Sequence, residues 1–286
     1  MAGVFRRSLS FPNKPVASPA APRPQKPRIS RHLRSISLPC RSHPLISSLK
    51  DEIANLKYWS STDQRTAAWL CRGLAAVKLV HDYLDDILQL PQSREAMGRL
   101  SATWVENVLE GFLRFIDAYG IFQNLILGFL EEHVAAQVGM RRKEETKVEL
   151  YKKAKKRMAK ETGELGSVVR AGVTVVGEVE VEEEELTAAV KDVMEVTGMV
   201  SVAVFEGIGM SLGWRRRNRN WMRKGTKVKL ENGIMEFMEM GVKKSEEDEV
   251  RMKDLEEWIR SIQDGTQNFF RTLMNTRVSI LNALSH

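Results

Sequence analysis

Apolar residues recur every three or four positions from about residue 45 to the C-terminus, and this spacing constrains the fold more than any other feature. The period is that of one face of an α-helix. Proline, which breaks helices, is nearly absent from this part, because eight of the nine prolines precede residue 45 and the ninth is Pro91. The sequence therefore predicts an all-α fold, an antiparallel bundle of long helices over residues 45–286.

The last predicted helix has the most regular apolar stripe. Its first turn, residues 246–249, is acidic, which favours a helix N-terminus. Apolar residues and two threonines then alternate at spacings of four and three, as in a heptad seam. The seam predicts packing along the bundle, and pairing with a helix of a partner protein is the alternative. Its members are Leu255, Ile259, Ile262, Thr266, Phe269, Leu273, Thr276 and Ile280.

The middle of the chain is less regular. A third predicted helix ends near Gly120, and a fourth runs out into the stretch 141–160, which holds ten bases and three acids. Without an aromatic or base-reading pattern, these charges are typical of a solvated helix end, and nucleic-acid binding is the weaker interpretation. Residues 163–185 combine four glycines with a run of six Glu in eight positions, and they predict a flexible acidic loop.

The first 44 residues differ from the rest in composition. Residues 1–49 hold nine of the 44 Lys and Arg residues and no acid, so 35 bases remain against 37 acids in the body. The basic balance of the chain therefore belongs to its N-terminal segment. Rich in Pro, Ser and Arg, this segment has no apolar periodicity with which to form a core. We predict a disordered basic tail over residues 1–44 and a helical domain over residues 45–286.

The pattern R-S-x-S-x-P occurs twice in this tail. Arginine three residues before a serine suits kinases with an acidic substrate groove, and phosphate there is recognised by Arg-cluster readers such as 14-3-3 proteins. The motif predicts phosphorylation at Ser10 and Ser37. The alternative is that the motif occurs twice by coincidence, because Arg, Ser and Pro are the most common residues of the tail. The flanking motif residues are Arg7, Pro12, Arg34 and Pro39.

A cleaved transit peptide is the competing interpretation of the tail, since plastid and mitochondrial addresses are also rich in Ser and Arg and poor in acids. Two cysteines, Cys40 and Cys71, without metal-binding spacing fit free thiols in a reducing compartment. We therefore expect a cytoplasmic protein, with a plastid or a membrane as the alternative locations.

Residues 196–214 carry a single charge, Glu206, and are long enough to cross a bilayer. An acidic residue near the centre of a span costs roughly 3 kcal/mol, so a buried core helix is the favoured interpretation, in which Glu206 needs a partner. The alternative is a membrane anchor with a positive flank at 215–229. In either case the flank predicts contact with lipid or an acidic partner through Arg215, Arg216, Arg217, Arg219, Arg223 and Lys224.

Four segments together resemble the plant BYPASS-like family: residues 34–44 (RSISLPCRSHP), the early Trp59, residues 88–91 (LQLP) and residues 270–282 (FRTLMNTRVSILN). The resemblance spans about residue 30 to the C-terminus. It implies a non-enzymatic plant protein connected with root and shoot development. The founding member of the family is connected with the restraint of a root-derived mobile signal. The resemblance carries over no catalytic or binding residue. It leaves two locations open, because some members are assigned to plastids and others to membranes.

No catalytic constellation is evident in the sequence. His81 and Asp85 have the i, i+4 spacing of metal ligands, but without a second such pair they indicate a surface histidine beside a carboxylate. The glycines at 207–213 miss the dinucleotide fingerprint. We expect no enzyme activity, no cofactor and no metal, and the sequence neither identifies nor excludes a small-molecule ligand. Binding of protein partners is the favoured function, and binding of nucleic acid is disfavoured.

Overall fold

The computed structural model describes residues 43–62, 65–177, 185–221, 233–238 and 246–285, all in the unit Ser42–His286. The side chains of residues 173–177, 214–221 and 246–248 lie outside this description. The described backbone forms helices and no strand, which confirms the predicted all-α class. The helices are α1 (Pro44–Ser60), α2 (Ala67–Leu88), α3 (Pro91–Met97), α4 (Ala102–Arg142), α5 (Glu145–Gly177), α6 (Glu185–Trp221), α7 (Met235–Met238) and α8 (Glu246–Leu284).

Helix α4 continues through Gly120, where the sequence predicts a helix end. It is a single helix of 41 residues, and Phe115 and Phe122 on either side of the glycine are both buried. One glycine inside a helix costs about 1 kcal/mol. Burial of these aromatic residues outweighs that cost, so the third and fourth predicted helices are one.

The chain reverses at Lys143 rather than running out into solvent. Lys143 adopts a left-handed conformation (φ 61°, ψ 30°), and the N–H of Glu144 donates to the carbonyl of Gly139 over 2.8 Å. This arrangement closes α4 as a left-handed C-cap does. The prediction that the fourth helix runs out through residues 141–160 is therefore wrong, because most of the stretch forms the first half of α5. The predicted solvent exposure of its charged residues is confirmed for most of its bases.

Helix α5 also includes residues 163–177, so the predicted flexible loop is wrong for that part. Leu165 and Val169 are buried there, and α5 packs along both α4 and α6. A β-carbon on Gly209 of α6 would lie 2.7 Å from the hydroxyl oxygen of Thr162, so the glycine permits close packing of α5 on α6. Residues 178–184, the rest of the predicted loop, lie outside the described residues.

Helix α6 occupies the centre of the bundle. It packs against α1, α2 and α5, and every side chain from Val196 to Gly213 is buried or half-buried. By length and composition, Ala102–Arg142 and Glu185–Gly213 could each cross a membrane, but 67 % of the most apolar stretch of the second is buried inside the protein. The favoured interpretation of residues 196–214 as a core helix is confirmed as far as Gly213.

Helix α8 packs on α2 and α4 through the predicted heptad seam. All eight members of that seam are buried, including both threonines. Packing along the body, rather than an outward-facing seam, is therefore the observed arrangement. Helix α1 packs on α2 and α6.

Candidate functional site

The best-defined polar site of the body is built on His81, which is fully buried among α2, α6 and α8. Its Nε2 lies 2.9 Å from the hydroxyl of Thr197, and its Nδ1 lies 3.0 Å from the hydroxyl of Thr276. The Thr197 hydroxyl donates its own hydrogen to the carbonyl of Val193 over 2.7 Å, so it accepts from Nε2–H. Nδ1 must then accept from Thr276. His81 is thereby a neutral bridge between three helices.

The interpretation of His81 as a surface residue is wrong for a simple geometric reason. Val77 and Leu84 are both fully buried on α2, and position 81 lies between them on the same helical face. Burial lowers the pKa of His81 from 6.5 to about 3. Aromatic rings of Phe112 and Phe269 pack edge-on to the imidazole. A histidine held in this way is neutral at physiological pH.

Asp85 lies one turn further along α2, beside the hydroxyls of Thr276 and Ser279. Burial raises its pKa from 3.8 to about 6, the two hydroxyls oppose that shift, and the nearby Asp82 and Asp86 add to it. Within the described residues, its Oδ1 has no hydrogen-bond partner. His81 and Asp85, which the sequence indicated as a surface histidine beside a carboxylate, are therefore a buried imidazole and a half-buried carboxyl group. No group of three metal-ligating side chains occurs in the described ranges.

A second buried histidine, His133 of α4, bridges α5 and α8. Its Nε2 donates to the carbonyl of Met252 over 2.8 Å, so its Nδ1, 3.2 Å from the Tyr151 hydroxyl, is the acceptor. The amide of Gln137 donates to the same carbonyl and to Glu256. Burial lowers the pKa of His133, while the Met252 carbonyl and Glu256 oppose that shift. No local sequence pattern indicates this bridge, because the partners of His133 are 18 and 119 residues away.

Glu206, the only charge in the predicted core helix, has the partner that burial requires. Its Oε1 pairs with Nη2 of Arg170 on α5 at 2.7 Å, and its side chain is 26 % exposed. The carboxylate therefore lies at the margin of the core, where the ion pair joins α5 to α6. The prediction that a buried segment 196–214 needs a partner for Glu206 is confirmed.

The two sets of residues predicted from the sequence to contact partners remain predictions. The candidate phosphosites Ser10 and Ser37, with Arg7, Pro12, Arg34 and Pro39, lie outside the described residues. The backbone of α6 carries Arg215, Arg216, Arg217 and Arg219, whose side chains are outside the description. Arg223 and Lys224 also lie outside it. The structure therefore brings none of these side chains into a defined site.

Fold and polar sites together define a class of protein: a helical bundle whose buried histidines join helices within the core. The sequence profile of the BYPASS1 protein family, described as Protein BPS1, matches residues 73–283, and the chain belongs to this family. Membership suggests a plant developmental regulator without assigning a molecular activity. Neither a comparison with curated proteins nor one with solved structures finds a match. The matched range includes the motifs at 88–91 and 270–282 and excludes Trp59 and residues 34–44.

Proposed function

We propose that this chain is a non-enzymatic interaction protein of plants, in which a helical body carries an N-terminal segment that partner proteins read after phosphorylation. The observation that carries the proposal is the twofold R-S-x-S-x-P pattern, centred on Ser10 and Ser37. Each copy offers an arginine for the kinase and a phosphate for an Arg-cluster reader of the 14-3-3 type. The role in root and shoot development that the family resemblance implies would be exerted through such partners.

The buried polar groups of the body support a scaffolding role. Both ring nitrogens of His81 and of His133 are engaged in hydrogen bonds within the bundle. An imidazole in this state is poorly suited to proton transfer with a substrate, since general acid–base catalysis needs a pKa near the working pH and access to the reacting atom. The same hydrogen bonds specify how three helices pack.

Two phosphosites on one chain favour a reader with two binding sites. Ser10 and Ser37 are 27 residues apart. Once the first phosphate is bound, binding of the second is intramolecular, which raises the overall affinity by a factor of about 100 or more. We therefore expect single substitutions at Ser10 or Ser37 to weaken partner recovery and the double substitution to abolish it.

The test is recovery of 14-3-3 proteins with the tagged full chain from plant cells. Ser10→Ala/Ser37→Ala should lose them. The matched control is Ser8→Ala/Ser35→Ala, which removes a serine from each motif copy and leaves the predicted phosphosites intact. Equal recovery with wild type and both variants would contradict the proposal. So would an N-terminus in cells that begins beyond Ser37, because a cleaved transit peptide removes both sites.

A further inference from the structure

The outer face of α5 forms a continuous basic surface. Residues 150–160 contain six bases and no acid. Five of the bases are exposed, whereas the opposite face of the same segment is buried in the bundle through Tyr151, Ala154 and Met158. The exposed bases are Lys152, Lys153, Lys156, Arg157 and Lys160. We refer to these five residues as the α5 basic face.

The centre of this face is not neutralised by neighbouring carboxylates. Glu149 pairs with Lys152 and Glu164 pairs with Lys160, at the two ends of the face. In the described part of the chain, no carboxylate lies within ion-pairing distance of Lys153, Lys156 or Arg157. Three positive charges without an ion-pair partner therefore occupy less than two turns of one helix, with Glu149 as the nearby carboxylate that interacts with Lys153 and Lys156.

The fold brings the other basic stretches to the same end of α5. Arg142 and Lys143 are exposed in the turn that immediately precedes α5. The contacts of Gly209 with Thr162 and of Glu206 with Arg170 show that α5 and α6 are antiparallel. The backbone of α6 beyond Gly213, which carries Arg215–Arg219, therefore runs back toward the start of α5. Two basic segments that are separate in sequence approach one end of the bundle.

The chemistry of the α5 basic face suits phospholipid better than nucleic acid. Four of its five bases are lysines, which bind phosphate as point charges, whereas base reading relies on bidentate arginine and on aromatic stacking. Tyr151, the only aromatic residue in 141–172, is buried. Leu150 on the same helix is 48 % exposed beside the bases, and apolar residues flanked by lysines are typical of helices that lie at a membrane interface.

We propose that the α5 basic face, with the turn at Arg142–Lys143, binds the anionic headgroups of a phospholipid bilayer. The contact is peripheral and electrostatic, since α5 is packed on α4 and α6 and the apolar segment of α6 is inside the bundle. Each basic residue near an anionic surface strengthens binding by about 1 kcal/mol, a factor of about five. The surface is independent of the phosphorylated segment and does not rest on the function proposed above.

The test is co-sedimentation of the full chain with vesicles of phosphatidylcholine alone or with phosphatidylserine. Wild type should sediment with the phosphatidylserine vesicles only, and added salt should release it. Lys153→Gln/Lys156→Gln/Arg157→Gln should lower the partition coefficient about a hundredfold, since three charges are lost. The matched control, Arg72→Gln/Arg94→Gln/Arg271→Gln, removes the same charge from exposed positions on α2, α3 and α8 and should bind nearly as wild type.

Three results would overturn the inference. Equal binding to both vesicle types would exclude recognition of anionic lipid. Equal weakening by the two triple variants would assign the binding to net charge, including that of the N-terminal segment. Loss of vesicle binding when duplex DNA or RNA is added at equal phosphate concentration would make nucleic acid the partner. Unchanged far-UV circular dichroism of both variants checks that the exposed substitutions leave the fold intact.

Discussion

Trp59 and Trp69 stack their indole rings, and each indole N–H also donates a hydrogen bond to the backbone carbonyl of the other residue. The indole rings stack with centroids 4.1 Å apart and an angle of 14° between the planes. The indole N–H of Trp59 donates to the carbonyl of Trp69 over 3.0 Å, and that of Trp69 donates to the carbonyl of Trp59 over 3.1 Å. This reciprocal pair fastens the end of α1 to the start of α2, and the guanidinium of Arg65 covers the Trp69 ring.

The first prediction concerns Gly73, on which the Trp59 ring rests. A β-carbon at this position would overlap the ring, so Gly73→Ala should force the stacked pair apart and cost about 1–3 kcal/mol. Gly163→Ala is the matched control, because nothing lies within 4 Å of its β-carbon position in α5. The control should gain about 0.5–1 kcal/mol from helix propensity. Urea denaturation measures both changes, and shifts of the same sign would contradict the role of Gly73.

The second prediction tests the His81 bridge through its threonine donor. Thr276→Val leaves the buried Nδ1 of His81 without a hydrogen-bond donor and also removes a hydroxyl beside Asp85, which together should cost about 1–3 kcal/mol of unfolding free energy. Thr272→Val is the control on the same helix, since the buried Thr272 hydroxyl donates only to the carbonyl of Asn268, one turn earlier. Thr272→Val should lower the free energy of unfolding by less than about 1 kcal/mol, the net contribution of an ordinary hydrogen bond. Equal losses would show that the imidazole does not depend on Thr276.

The third prediction is a pH dependence at Asp85. Its pKa of about 6 in the folded protein exceeds the ordinary value of 3.8, so the ionised form is less favourable when folded, and Asp85 lowers stability as pH rises through 6. Asp85→Asn should therefore be more stable than wild type above pH 6, by about 1 kcal/mol once solvent screening of this half-buried group is included. The advantage should disappear toward pH 4, where Asp85 is protonated in the folded protein.

Asp82→Asn is the control for this pH dependence. Asp82 pairs with Lys78 on the exposed side of α2, so loss of this pair should cost about 0.2–0.5 kcal/mol near neutral pH. Asp82 also helps to raise the pKa of Asp85, so Asp82→Asn should reduce the pH dependence that Asp85 causes, whereas Asp85→Asn should remove it. His81 contributes in the opposite direction, because its lowered pKa makes the protein less stable as pH falls below 6.5. That contribution is common to wild type and both variants and cancels in the comparison. Identical pH profiles for Asp85→Asn and Asp82→Asn would contradict the assignment.

The fourth prediction separates a core helix from a membrane span. Since no side chain from Val196 to Gly213 is exposed, alkaline carbonate should release the whole protein from plant membranes into the supernatant. A peripheral lipid contact through the α5 basic face gives the same release, because carbonate removes electrostatically bound proteins. Retention in the pellet with an integral marker protein would require α4 or α6, the two helices long and apolar enough to span a bilayer, to leave the bundle, and it would contradict the packing described above.

Periodicity predicted the elements that pack through one continuous stripe. The seam from Leu255 to Ile280 is an example, because each member repeats the local pattern and needs no knowledge of its neighbour. His81 shows the limit of this reasoning: histidine is usually a surface residue, so the sequence predicted an exposed side chain, although Val77 and Leu84 on the same helical face are buried. The hydroxyls of Thr197 and Thr276, 116 and 195 residues away in sequence, offset the cost of desolvating the imidazole by hydrogen bonding to both of its nitrogens.

The errors in the middle of the chain have a related cause. The reversal at Lys143 contains neither proline nor a glycine in the left-handed position, so no local turn signal marks it. Residues 163–177 contain four glycines, which locally disfavour a helix. In the fold, Gly209 lets α6 approach α5, and the packing of Leu165 and Val169 more than offsets the propensity.

The most direct test of the proposed function is affinity capture of the tagged full chain from plant cells, with and without phosphatase, followed by quantitative mass spectrometry. We expect that 14-3-3 proteins are recovered from the untreated sample and lost after dephosphorylation. Ser10→Ala/Ser37→Ala should give the dephosphorylated result without treatment. An unchanged set of partners in all three samples would contradict the proposed function.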